Sequence, residues 1–208
     1  MSFLSKLKKE DTDQRKPSNW MEVLFHDFDI IYIFIIFMLL YVLLFRVVIV
    51  TGSSMNQTLV DGDVLILASN TLYHNPKQGD IIVVSKDSFR NGECIVKRVI
   101  ATEGQTVDID FQNRLVYVDG QVLEESYVFF AENDHRPMNQ GGFHGPITVE
   151  KGCVFVMGDN RNDSLDSRDP SIGMVDKREI LGKALFLMIP GTDEGLISAD
   201  YSRIGGLN

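Results

Sequence analysis

From residue 30 to residue 45 the chain reads IIYIFIIFMLLYVLLF, sixteen uncharged residues without Gly or Pro, bounded by Asp29 and Arg46. No other stretch restricts the fold so strongly. At a rise of about 1.5 Å per residue the run nearly matches the thickness of a bilayer core, and Phe28 with the aliphatic stem of Arg46 extends it. Tyr32 and Tyr41 stand near its ends, where interfacial aromatic rings are favoured. The run predicts one transmembrane helix over residues 29–46. A core helix apolar on all sides would need a much larger protein around it. A cleaved leader would carry a basic segment before the run and a small-residue cleavage site after it; Asp27 and Asp29 stand there instead, and no Ala-x-Ala follows.

Orientation follows from the basic residues. Lys6, Lys8, Lys9, Arg15 and Lys16 precede the run, whereas after Arg46 the next basic residue is Lys77. The positive-inside bias therefore places residues 1–28 in the cytoplasm and residues 47–208 outside the cell membrane, as a single-pass protein whose main domain is extracytoplasmic. A net charge of −9 with no clustered Lys and Arg beyond the N-terminal group excludes a phosphate backbone as the natural ligand, so no nucleic acid is expected as partner. The lipid bilayer is one expected partner.

Beyond residue 47 the text alternates with the period of strands. The expected strands are 47–50, 64–67, 80–85, 93–101, 106–110, 114–118, 153–157 and 181–188, separated by turn formers such as HNPKQGD and RNGE. Asp119-Gly120 followed by Gln121 and Val122 predicts a tight hairpin. No long 3.6-residue pattern interrupts them. The fold expected is mainly β: an N-terminal transmembrane helix, then antiparallel sheets in a barrel-like arrangement, with a loop-rich insertion over about 119–151 whose AENDHRPMNQGGFHGP is polar and rich in turn formers.

Three stretches depart from this β background. In VTGSSMNQTLVDGDVLIL, two hydroxyls, Ser53 and Ser54, sit between Gly52 and Met55. In IVKRVIATEGQTV, Lys97 and Arg98 lie inside an apolar strand, and alternation sends them to opposite faces, so at least one meets the interior. A lysine among apolar groups has its charged form disfavoured and can accept a proton, which would activate a nearby serine too weakly acidic to attack an amide unaided. The third stretch, MGDNRNDSLDSRDP, is dense in Asp, Asn, Ser and Arg. It does not fit a calcium loop: counting from Asp159 puts Arg161 at a ligand position and Ser164 where glycine is needed, and counting from Asn160 puts Ser171 where the closing Glu belongs. It reads instead as a hydrogen-bonded corner that fixes the geometry of the other two stretches.

Together, in this order and after an N-terminal apolar run, these stretches resemble the type I signal peptidases, membrane-bound endopeptidases that remove signal peptides from exported proteins. GSSMNQTLVDGDVLIL corresponds to the family's serine box, GDIIVV to the strand after it, KRVIATEGQTV to the lysine box and GDNRNDSLDSR to its most diagnostic box. The resemblance implies Ser54, the serine followed by Met, as nucleophile and Lys97 as general base. It implies that Ser164 orients the lysine, that Arg98 is a structural partner, and that Asp159, Arg161, Asp166 and Arg168 hold the loop. Gly52 stands where other branches carry a serine that donates to the oxyanion. Here that role would fall to the Ser54 backbone N–H, joined by water. Ser53 is left as turn chemistry.

Two residues depart from the family pattern: Gln57 replaces the usual Pro, and Ala101-Thr102-Glu103-Gly104-Gln105 replaces a GLPGD run. The expected activity is cleavage after small residues of the Ala-x-Ala type, in pockets lined by Val50, Met55, Leu59, Leu65, Ile95 and Val96. Partners would be secreted preproteins and a secretion translocase. No cofactor or metal is expected, and His26, His74, His135 and His144 show no ligand spacing. Two rivals stand beside this reading: a specialised peptidase with few substrates, and a non-cleaving pilus-assembly factor on the same fold. A penicillin-binding chemistry needs Ser-x-x-Lys, whereas Ser54 is followed three residues later by Gln57. Whether Cys94 and Cys153 are joined is left open by sequence alone.

Overall fold

The computed structural model describes residues 20–86, 93–192 and 200–207, with side chains from residue 30 onward. The N-terminal basic residues, Lys6 to Lys16, and the side chain of His26 lie outside the described residues. The chain forms two compact units, residues 1–41 and 42–208.

The apolar run is helical, as expected, within α1 (Trp20–Leu44). Ile30 to Leu43 are all between 40% and 67% exposed. Among the described residues no helix is long and apolar enough to cross a membrane. The helix also ends earlier than the spacing predicts. Phe45 and Arg46, expected inside it, open β1 (Phe45–Ile49), because Val47, Val48 and Ile49 supply β-branched side chains and residues 64–68 offer a backbone edge to pair with.

The second unit contains two antiparallel sheets. The larger follows the order β1, β2 (Val64–Ser69), β11 (Ile180–Ile189), β3 (Ile81–Ser85), β4 (Cys94–Thr102), β9 (Cys153–Met157) and β10 (Val175–Asp176), with the short β12 (Gly205–Gly206) on β11. The smaller runs β7 (Gln121–Val122), β6 (Leu115–Val118), β5 (Thr106–Asp110) and β8 (Ile147–Thr148). Asp119 and Gly120 turn between β6 and β7 with φ of 52° and 75°, the left-handed pair that a two-residue hairpin requires. The larger sheet is open, since its path runs from β1 to β10 without closing, so the barrel-like expectation gives way to two sheets.

Three apolar clusters fill this unit. One, with Phe143, Phe155 and Met157, packs the smaller sheet against β4 and β9. A second, with Val50, Met55, Leu59, Leu65 and Leu67, lies under the serine box. The third gathers Ile82, Val84, Val99, Val156 and Ile180. β4 is central to the larger sheet, flanked by β3 and β9, which is why charged side chains in its middle are buried.

Strand register also answers the cysteine question. Thr102, at the far end of β4, pairs with Val154, so Cys153 lies beside the end of the strand opposite Cys94. Eight residues of strand separate the two positions by about 26 Å at roughly 3.3 Å per residue. That is far beyond the roughly 7 Å between Cα atoms that a disulfide tolerates, and both cysteines are free thiols.

Candidate active site

The serine box is a compact turn between β1 and β2. Asn56 N donates to Ser53 O and Leu59 N to Met55 O, while Met55 and Leu59 insert into the core. The peptide bond between Asn56 and Gln57 is cis. Gly52 has φ +90°, a conformation that strains any other side chain, so the glycine that precedes the serines is set by the backbone path.

β4 brings Lys97 to this turn. Its Nζ donates to Ser54 Oγ at 2.7 Å and to the carbonyl of Val96 at 2.9 Å. Lys97 is 3% exposed and makes no ion pair among the described residues. Burial pushes its pKa down from an ordinary 10.5 to about 8, against the opposing pull of the Asp166 and Asp159 carboxylates. The site therefore holds a hydroxyl bonded to an amine that is partly neutral near physiological pH.

The third stretch forms the support. Arg98, one residue on, donates to both oxygens of Asp159 at 2.9 and 2.7 Å and to Gly79 O at 2.9 Å, with the Tyr127 ring 3.9 Å from its guanidinium carbon. Thr58 from the serine turn donates to the same carboxylate. Arg168 grips Asp166 through two bonds of 2.8 Å. Burial works to raise the Asp166 pKa, but the Arg168 charge, the Gly158 amide and the Ser164 hydroxyl together hold it below the usual value. Arg161 donates to the Gly158 carbonyl and forms a bidentate pair with Glu125.

Contact between this support and the serine turn is direct. Asn160 N donates to Ser54 O at 3.0 Å, Asn160 Nδ2 to Ser53 O at 3.1 Å, and Ser53 Oγ to Asp163 Oδ2. A Cβ on Gly158 would stand 2.2 Å from Ser164 Oγ and 2.5 Å from Ser54 O, so only glycine lets the two stretches meet.

Two sequence expectations are corrected. The Ser164 hydroxyl donates to Asp166 at 2.8 Å, and among the described residues no hydrogen bond joins it to Lys97, whose Nζ meets Ser54 Oγ and Val96 O instead. Ser164 does line the cleft with Lys97. Leu59 and Leu65 do not line it. Both are fully buried beneath the turn, since the strand alternation that points Val64 and Ile66 outward points Leu65 into the core.

The cleft itself encloses about 510 Å³ around Ser54 and Lys97. Val48, Val50, Met55, Val83, Ile95 and Val96 give it one apolar bank, and Asn139, Asn162 and Asp163 a polar one. Sequence reading left out Asn139, which comes from the insertion: Asn162 Oδ1 accepts from Asn139 N, Asn162 Nδ2 donates to Asp134, and Arg168 donates to Asn139 O. It also left out Asn160 and Thr58. Each lies inside a box already singled out, but an amide or hydroxyl that bonds backbone or a shared carboxylate carries no signal distinct from its neighbours. Among the described residues no three His, Cys, Asp or Glu side chains gather as metal ligands would.

The sequence profile of signal peptidases, peptidase S26, matches residues 23–189. The chain belongs to this family. A signal peptidase I of Bacillus amyloliquefaciens is 35% identical over 153 residues, covering 72% of this chain and 77% of that protein. A probable signal peptidase I-1 of Synechocystis sp. (strain ATCC 27184 / PCC 6803 / Kazusa) is 36% identical over 157 residues, covering 72% and 74%. A solved signal peptidase I from Enterococcus faecalis V583 is 32% identical over 52% of this chain and 96% of its own, with a TM-score of 0.41. The S26 peptidase thus carries its serine and lysine boxes within matched sequence, and the departures at Gln57 and at residues 101–105 fall within it too.

Proposed function

We propose that this S26 peptidase is a signal peptidase I, a serine endopeptidase in which Ser54 is the nucleophile and Lys97 the general base. The observation that carries the reading is the 2.7 Å bond from Lys97 Nζ to Ser54 Oγ in a buried setting that lowers the pKa of the amine to about 8. Neutral Lys97 takes the Ser54 proton as Oγ attacks the scissile carbonyl carbon. The Ser54 backbone N–H donates to no protein group among the described residues, which leaves it to stabilise the oxyanion. The Lys97 ammonium then gives its proton to the departing amine, and an ester links substrate to Ser54. A water molecule, deprotonated by Lys97, hydrolyses that ester and frees Ser54.

Arg98, Asp159, Arg161, Asp166, Arg168 and Ser164 serve this chemistry by holding the turn and β4 in place. The apolar bank formed by Val50, Met55, Ile95 and Val96 fits small side chains before the cut. Residues 94–97 pair with β3 on one side, while β9 begins its pairing with β4 only at Arg98. An extended substrate adds beside that edge by backbone hydrogen bonds. Substrates are exported preproteins, and no cofactor enters.

The same proposal gives the apolar helix its environment. The exposed side chains from Ile30 to Leu43 lie in the bilayer, with the N-terminus cytoplasmic and the peptidase domain outside. Confinement with a membrane-held substrate raises its effective concentration. Reading the chain as a non-cleaving assembly factor has no support, since the relatives named above are signal peptidases.

The test is cleavage of an Ala-x-Ala preprotein by purified full-length chain in detergent. Ser54→Ala and Lys97→Ala are each expected to abolish it. Full activity in the Lys97 variant would sink the dyad. Retention of the protein in the membrane pellet after alkaline carbonate washing tests the anchor.

A further inference from the structure

Arg203 stands near the C-terminal end of the chain, beyond the stretch matched by the family profile, which ends at residue 189. Its guanidinium crosses to the serine box. Nη1 donates to Asp63 Oδ1 at 3.0 Å, Nη2 to Asp63 Oδ2 at 2.7 Å, and Nη2 also reaches Thr58 O at 3.3 Å. Asp63 is fully buried and collects two further donors, Val60 N at 2.8 Å and Gly191 N at 2.7 Å. Among the described residues each carboxylate oxygen therefore has two N–H partners, and the only charged one is Arg203.

The turn that Asp63 closes holds the cleft wall. Asp63 O accepts from Val50 N at 2.8 Å, Val50 O accepts from Gly62 N at 2.9 Å, and Asp61 Oδ1 accepts from Gly52 N at 2.7 Å. Residues 50–52 thus hang on residues 61–63 by three bonds. Those same residues line the cleft immediately before Ser54. Close packing allows little slack, since a Cβ on Gly191 would lie 2.1 Å from Asp61 O. The segment that carries Arg203 is itself anchored: Gly205 and Gly206 pair with Leu187 and Phe186, Leu207 N donates to Leu185 O, and the Leu207 side chain packs against the apolar cluster that contains Val50, Met55 and Leu59.

We propose that Arg203 is a positioning residue for substrate binding: through Asp63 it fixes the 50–52 wall of the cleft, against which an extended preprotein lies. This inference rests on the peptidase reading of the site. Arg203 touches neither Lys97 nor Ser54, and the charges that set the Lys97 pKa, those of Asp166, Asp159 and Arg168, belong to the other support. Loosening the wall should therefore raise KM and leave the chemical step alone.

The experiment measures kcat, KM and the acidic limb of kcat/KM for full-length Arg203→Gln and Arg203→Lys in detergent, with Ser54→Ala as control and melting temperature followed in parallel. Expected for Arg203→Gln is a KM raised about tenfold, kcat within about twofold, and an acidic limb still near pH 8. Lysine keeps the charge but loses the two-pronged geometry, so Arg203→Lys should fall between, and it serves as the reading variant should the glutamine protein fail to fold. An unchanged KM overturns the clamp, whether activity is intact or lost only in proportion to unfolded protein. A displaced acidic limb overturns it as well, by placing the effect on Lys97. Cleavage persisting in Ser54→Ala would bring down the reading of the site itself. An inert Ser54→Ala beside a wild-type KM brings down the clamp alone.

Discussion

Lys97 and Arg98 are consecutive residues of one strand, both cationic and both buried, yet their surroundings differ in kind. Arg98 is met by a carboxylate in bidentate geometry, a carbonyl and an aromatic face. Lys97 meets one hydroxyl and one carbonyl, with the carboxylates of Asp159 and Asp166 near enough to act on its charge but bonded to other groups. A buried cation given a counter-ion becomes a fixed part of the frame. One denied a direct counter-ion sheds its proton easily and becomes a base. Alternation of a single strand delivers both roles, and the arginines at 98 and 168 keep the carboxylates occupied on behalf of the lysine.

The largest effect that could break this contrast is at the base. Lys97→Ala should lower kcat/KM at least about a thousandfold with little loss of melting temperature, since it removes a buried amine without orphaning a charge. The opposite pattern belongs to its neighbour. Arg98→Ala leaves the Asp159 carboxylate buried without its cation and should cost about 3–5 kcal/mol of stability, measured by denaturant unfolding of the folded domain. If the two variants exchanged these signatures, the division of labour would be wrong.

The contrast sharpens with pH. With Lys97 as the proposed base acting in its neutral form, activity should rise with pH through an apparent pKa near 8 and fall below it, with only about a tenth of the amine neutral at pH 7. Asp166→Asn removes the carboxylate that most strongly raises the Lys97 pKa, so the acidic limb should move to lower pH. The smallest effect is expected at Ser53. Its hydroxyl ties the turn to Asp163 at the cleft rim, and Ser53→Ala should reduce kcat/KM by no more than about threefold, assayed on the same preprotein.

Much of this was legible in the chain before the structure. Each expected strand is present with ends within about two residues, because β-branched alternation bounded by Gly, Asn and Asp is a strong signal. The two-residue strands at 147–148, 175–176 and 205–206 were not, since so short a pairing leaves no period to read. At the site, the partnership of Ser54 and Lys97 was accessible through the boxes that carry them. The Ser164 bond was misassigned because Lys97 and Asp166 both lie in boxes already singled out, and sequence spacing does not say which of them the hydroxyl meets. Leu59 and Leu65 were misplaced because apolar residues near a nucleophile have the same composition whether they line a cleft or floor it. Arg203 was invisible for a plainer reason: 140 residues separate it from Asp63, and no local pattern spans that distance.

The register that holds Cys94 and Cys153 at opposite ends of β4 has a further consequence. With no disulfide between its two cysteines, the domain needs neither an oxidant nor a disulfide isomerase to reach its native form. Maturation is thus uncoupled from the redox chemistry of the compartment in which the chain emerges, and a reductant such as dithiothreitol should leave the folded enzyme as it was.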